Sequence, residues 1–147
     1  MTEPVEVAIE SALLSKAQAF AAAQSPPLLI SLPNIAFTPP AVSTSAKYLR
    51  ASFMPAPSIA LGISNTSNNQ HYGFMQLDVF YGQGAGEYAP GRIASAIIAY
   101  FPRGLKLVKD GTTTQIIKQA YRGSMLKDDP WMMIPVTIPY VCFATPA

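Results

Sequence analysis

The stretch Tyr72–Gly104 constrains the fold of this chain more than any other. It reads YGFMQLDVFYGQGAGEYAPGRIASAIIAYFPRG: an alternating run, a glycine loop, an apolar stripe and a stop. Leu77, Val79 and Tyr81 alternate with Gln76, Asp78 and Phe80, which is the two-residue period of a strand. Gly82, Gly84 and Gly86 break that run. Ile93, Ala94, Ile97, Ile98 and Phe101 then recur at helical spacing. Pro102 and Gly104 end the helix, because proline lacks the donor a helix needs and pushes the residue before it out of helical geometry. A strand that feeds a helix through a short loop predicts the nucleus of an α+β domain.

The flanking sequence extends that nucleus. Met1–Ala23 predicts a helix, with Thr2 as cap, Glu3 and Glu6 at its positive end and Pro4 in its first turn. Its apolar stripe is Val5, Ile9, Leu13, Ala17 and Phe20. Leu28–Pro40 carries Pro33, Pro39 and Pro40 and leaves room only for short strand pieces. In Lys47–Met54, Tyr48, Arg50 and Ser52 alternate against Leu49, Ala51 and Phe53, a half-buried strand. Ser58–Gln70, polar at its end and rich in asparagine, reads as an exposed loop. Leu105–Lys109 and Thr112–Tyr121 flank Asp110-Gly111, a hairpin signal, since these residues accept the positive φ angles of a tight primed turn. Arg122–Pro130 reads as a charged loop and Trp131–Phe143 as the last strand.

That last strand contains Pro135 and Pro139. Being four apart, their missing N–H groups face the same side, so the strand can pair fully on one side only. An edge strand, or a boundary with another element, fits that pattern. The expectation is one α+β domain over residues 1–147: a small mixed or antiparallel sheet of about four to six strands, with two main helices packed on one face.

Chemistry-bearing residues are sparse. His71 is the only histidine and stands beside Asn69 and Gln70 at a loop edge, where a surface position is expected. Asp128-Asp129 reads as solvated charge, and Glu87, Asp78 and Asp110 lack companions at catalytic spacing. The loop Gly82-Gln83-Gly84-Ala85-Gly86 follows a strand and precedes a helix, as a dinucleotide-binding loop would. It is GxGxG rather than GxGxxG, however, and no acid ends a strand about 20 residues on. It reads as a connector. Tyr72, Phe74, Phe80 and Tyr81 read as core or sheet-face residues, and Met132-Met133 as core or an adaptable contact surface, with core favoured. The single cysteine, Cys142, lies between Val141 and Phe143 and reads as a buried thiol. No cofactor, metal site or catalytic group is expected.

Composition bears on partners. Charged residues make up 12% of the chain and hydrophobic ones 50%, with a net charge of +2. Two readings stay open: an Ala- and Pro-rich globule, or a subunit whose surface is covered by neighbours, since interface cores are depleted in charge. Scattered cations argue against specific nucleic-acid binding. The N-terminus reads as an acidic amphipathic helix rather than a secretion signal, and no run is long enough to span a membrane, so a soluble protein made in a reducing compartment is expected. Arg92, Arg103, Lys106 and Lys109 gather around the second helix and the hairpin. They form either a solvated face or, with Asp110 and Gly111 at the turn, a polar rim between subunits that faces Glu87 or Asp110 of a neighbour.

Five segments in order carry a resemblance. They are the N-terminal amphipathic helix, Asn34–Pro40, Tyr48–Pro55, Gly73–Tyr81 with its loop and helix, and Phe101–Gly104. The ending, Trp131 with Ile134–Tyr140, agrees too. Together they resemble the tail-terminator-like proteins of long-tailed phages. The match covers almost the whole chain, with no clear counterpart for Ser58–Gln70. The resemblance implies a structural virion protein without enzymatic activity. Its subunits would form a homo-oligomeric ring, hexameric in such proteins, at the tail–neck junction, assembled in the host cytoplasm. That ring would cap the tail tube, stop its polymerisation and meet the head-completion or connector protein, with the genome free to pass through it. Other readings are a different head–tail connector or minor tail protein, and, more remotely, a small-ligand binder using Gly82–Gly86.

Overall fold

The structure is a computed structural model describing residues 4–144. In chain order its elements are α1 (Val5–Ala23), β1 (Ile30–Ser31), β2 (Lys47–Pro55), β3 (Ile59–Ala60), β4 (Asn69–Gly82), α2 (Tyr88–Tyr100), β5 (Lys106–Lys109), β6 (Thr112–Ile116), β7 (Tyr121–Arg122), β8 (Leu126–Asp128) and β9 (Trp131–Ala144). One mixed sheet runs in the order β1-β2-β4-β9-β6-β5, and the short strands β3, β7 and β8 attach to β4 or β9. Among the described residues only β1–β2 is parallel. The expected α+β class is what the chain adopts, with six strands in the main path.

Two long strands form the spine. β4 pairs with β9 along fourteen residues, from Asn69↔Ala144 to Gly82↔Trp131, and with β2 from Lys47↔Tyr81 to Pro55↔Gly73. Paired residues share a face. Leu49 and Ala51, then Met75, Leu77 and Val79, then Ile134, Val136 and Ile138 therefore present one apolar surface. Both helices cover it. Val5, Ile9, Leu13, Ala17 and Phe20 of α1 are all buried there, as their spacing predicts, and Ala94, Ile97 and Phe101 bring in α2. Each large apolar side chain so buried stabilises the fold by about 1.5–3 kcal/mol. The helices touch each other through Phe20 and Tyr100, whose rings meet edge to face at 5.3 Å.

Several expectations are corrected. Helix α1 begins at Val5 with Pro4 in the N-cap position, whose carbonyl accepts the first helical bond from Ala8 N–H at 2.9 Å. The expected Thr2 cap and Glu3 lie outside the described residues. Ser58–Gln70 is not all loop, because Ile59 and Ala60 pair with Gln70 and Asn69, so β3 and the start of β4 form an arm. Arg122–Pro130 likewise contains β8, paired with Trp131–Met133, and follows β7. The sheet's other face is not simply solvated. Tyr48, Phe80 and Trp131 form a second core there, with the Tyr48 and Phe80 rings stacked at 4.6 Å and Phe37 alongside.

β9 is an interior strand, not an edge, yet its pairing is continuous on one side and broken on the other, as its prolines require. Gly123 N–H donates to Pro135 C=O at 2.8 Å, so the Pro135 backbone faces β7. On that side β9 meets three separate short strands, whereas β4 on the other side runs uninterrupted. A strand that lacks donors at positions 135 and 139 cannot hold one long neighbour there.

Candidate assembly surface

The sheet face away from the helices carries a row of exposed apolar side chains. Registry places Met54, Phe74 and Pro139 side by side on it, and Ile59, Gln70 and Phe143 further along. Met54, Ile59 and Phe143 are exposed, as are Ile117 and Tyr121 nearby and Leu61 and Ile63 at the end of the arm. Ile63 has no contact that shields it at all. Met54, Phe74, Ile117, Tyr121 and Pro139 line a groove of about 410 Å³ at the base of the arm, in which Lys118 is the one charged side chain. An apolar stripe of this extent makes the face a candidate contact surface.

Next to the groove the same face is held rigid. Asp78 is 1% exposed, and Arg50 Nη2 and Nε donate to its Oδ2 at 2.9 and 3.2 Å. Gln76 Nε2 donates to the other oxygen at 2.7 Å. Arg50 also lies over the Phe80 ring, 4.8 Å from its centroid. Sequence spacing treats Asp78 as isolated; only the β2–β4 register brings Arg50 opposite it.

A second surface runs along the free edge of the sheet. β5 and β6 form the expected hairpin, with Asp110 at φ 49° and Gly111 at φ 79°, the geometry of a primed turn. Lys106, Lys109, Asp110 and Gly111 are exposed on it, and Arg103 is exposed just before it. Arg92 is exposed on α2, about three helical turns before Arg103. The six residues therefore fall into a hairpin group and a separate arginine. Among the described residues none of the four cations makes an ion pair. Glu87, one candidate acid for such a rim, instead lies 3.8 Å from Arg122 of its own chain.

The remaining sequence candidates acquire structural places. The loop after β4 needs its glycines for backbone geometry, since Gly84 and Gly86 have φ of 92° and 80°. Glu87 stands at the N-cap of α2, where a bound phosphate would have to sit. Gln83 Nε2 donates to Asp129, tying this loop to the β8–β9 turn. His71 corrects the expectation of a surface position: it is 8% exposed, inside β4, beside a cavity of about 110 Å³ that Glu6, Ser58 and Tyr140 also line. Its Nε2 has no hydrogen-bond partner among the described residues. Cys142 is buried as expected, and burial pushes its thiol pKa up. Burial also raises the Tyr140 phenol to about 12. Among the described residues no group of three or more His, Cys, Asp or Glu is placed to hold a metal ion, and no helix is long and apolar enough to cross a membrane.

Sequence reasoning missed the arm. Its signal was present in Ile59-Ala60-Leu61-Gly62-Ile63, an alternation of branched apolar and small residues hidden before an asparagine-rich turn.

A two-helix layer covers one face of a mixed sheet, and apolar and cationic side chains are left exposed elsewhere. The family model for the phage tail terminator protein matches residues 8–140, and the chain belongs to that family of structural phage tail proteins. One solved structure, of a protein known only by a sequence designation, is similar along nearly its full length. It shares 26% identity over 93% of this chain and 94% of that chain, with a TM-score of 0.77. No curated protein matches the chain.

Proposed function

We propose that the chain acts, as one unit over residues 1–147, as the subunit of a ring, hexameric as the family resemblance implies, which caps the tail tube and stops its polymerisation. The ring sits at the tail–neck junction after assembly in the host cytoplasm. One of its faces meets the tail-tube protein and the other meets the head-completion protein. The observation that carries this reading is the apolar stripe from Met54 to Ile63, which a solitary subunit leaves in water although the chain belongs to a tail terminator family. A ring is built from a head-to-tail contact that closes, so each subunit needs two different matching surfaces. The uncovered sheet face supplies apolar area. Arg103, Lys106, Lys109, Asp110 and Gly111, with Arg92 behind them, supply a polar rim. Lysines on the free β5 edge disfavour open-ended strand addition and so favour side-chain contacts there.

Light scattering coupled to gel filtration, and particle imaging of the purified protein and of tails, test this reading. A closed ring, free or on the last tube layer, is expected. A protein that stays monomeric both in solution and on tubes overturns it.

A further inference from the structure

The arm and the groove are both apolar and nearly free of charge, and they lie apart on one chain. Residues 58–70 contain no Asp, Glu, Lys or Arg, and the groove at the arm's base contains only Lys118. Neither surface therefore offers the clustered cations that track a nucleic acid, nor the charges that would select an acidic or basic partner. Ile63 leads the arm, fully exposed, and Leu61 and Ile59 follow it on the way back to the sheet. The groove is walled by Met54, Phe74, Ile117, Tyr121 and Pro139. At about 30 Å³ per liquid water it holds on the order of a dozen waters, which apolar side chains would release.

Distance decides who fills it. The start of β4 at Asn69 lies five residues from Phe74, or roughly 17 Å at the rise of a strand, and Ile63 lies beyond that. Pairing with β3 and with the end of β9 stiffens this segment, so it cannot fold back on its own groove. An unrelated partner would fill the groove or cover the arm, leaving the other in water. A second copy, placed head to tail, satisfies both surfaces in every subunit once the ring closes.

We propose that Ile63 and Leu61 of each subunit seat in the Met54–Phe74–Ile117–Tyr121–Pro139 groove of the next copy. This rests on the ring reading and specifies its main apolar contact.

The test uses two full-length variants, Ile63→Cys and Tyr121→Cys, purified separately and mixed before treatment with a short bis-maleimide. Both positions are exposed, and the native Cys142 is buried, so neither folding nor background labelling interferes. The proposal expects a covalent dimer in the mixture, a weak or absent one with either variant alone, and a ladder ending at the ring when one chain carries both cysteines. Ile63→Asp is expected to weaken association tenfold or more with an unchanged far-ultraviolet spectrum. Intact rings without the mixed cross-link overturn the arm-in-groove contact and leave the ring reading standing. In tails, cross-linking of the Ile63→Cys arm to the tube protein alone overturns it in favour of that partner. Absence of any oligomer, in solution or on tubes, overturns both.

Discussion

Arg50 and Asp78 face each other across β2 and β4, with Nη2 2.9 Å from Oδ2, and they differ sharply in environment: Asp78 is 1% exposed and the Arg50 side chain 47%. A carboxylate so buried depends on its partner, whereas an arginine half in water depends less on the acid. The bridge divides the sheet face away from the helices, with the buried, stacked Tyr48–Phe80 pair on one side and the apolar groove on the other.

Arg50→Met, which keeps much of the stem over Phe80 but removes the charge, should lower stability by about 2 kcal/mol. That lies between the small value of an exposed pair and the several kcal/mol lost when one partner of a buried pair is removed. Adding Asp78→Leu should restore most of the loss, because no lone charge then remains buried. Urea midpoints of the two variants check this. An unchanged midpoint for Arg50→Met would show that Asp78 is adequately solvated without it.

Gly82, the last residue of β4, is passed closely by the backbone before β2. Its N–H donates to Ala46 C=O at 2.9 Å, and a Cβ there would overlap the carbonyl oxygen of Ser43. Gly82→Ala should therefore displace residues 43–46 and cost about 1–3 kcal/mol, the usual range for overpacking. Thermal unfolding measures it, and a melting temperature equal to the parent's would contradict the close approach.

Tyr140 carries a pH prediction. Burial raises its pKa from 10.0 to about 12, so the unfolded chain releases this proton first as pH rises. Below pH 10 the stabilisation is fully present; it is lost progressively as pH climbs towards 12. Tyr140→Phe should flatten the decline of stability across that window relative to the parent. Parallel slopes in the two proteins would remove Tyr140 as a source of alkaline sensitivity.

Arg103→Glu should weaken ring assembly without unfolding the subunit. The side chain is exposed, bonded to no acid among the described residues, and adjacent to the cationic hairpin edge. Reversing its charge changes how that edge meets a neighbour, by several-fold in association at low salt and less at high salt. Sedimentation at two ionic strengths reads it. Assembly like the parent's at both would place the polar rim elsewhere.

What the sequence shows and hides follows from the range of the interactions. Helical stripes are local, so Ile9, Leu13 and Phe20 declare their shared face without help, as do Ile97 and Phe101. Asp110-Gly111 fixes a turn through the backbone needs of two adjacent residues. Pro135 and Pro139 disclose one-sided pairing, since a missing donor is a property of the residue itself. Burial of Asp78 and His71 is different. Each depends on which strand lies opposite, a pairing of residues far apart that no short window contains. The arm was obscured for another reason: its alternation is only five residues long and ends in a polar turn, and its start pairs only with the two residues at the beginning of β4. The assembly surface is the least legible part, because exposure is defined by what fails to pack on a residue.

The central claim, that this subunit ends tail growth, is tested most directly by imaging tails made in its absence. Tubes of uncontrolled length that fail to join heads are the predicted result, with normal length restored when the protein is supplied. Tails of normal, uniform length joined to heads without it would contradict the account.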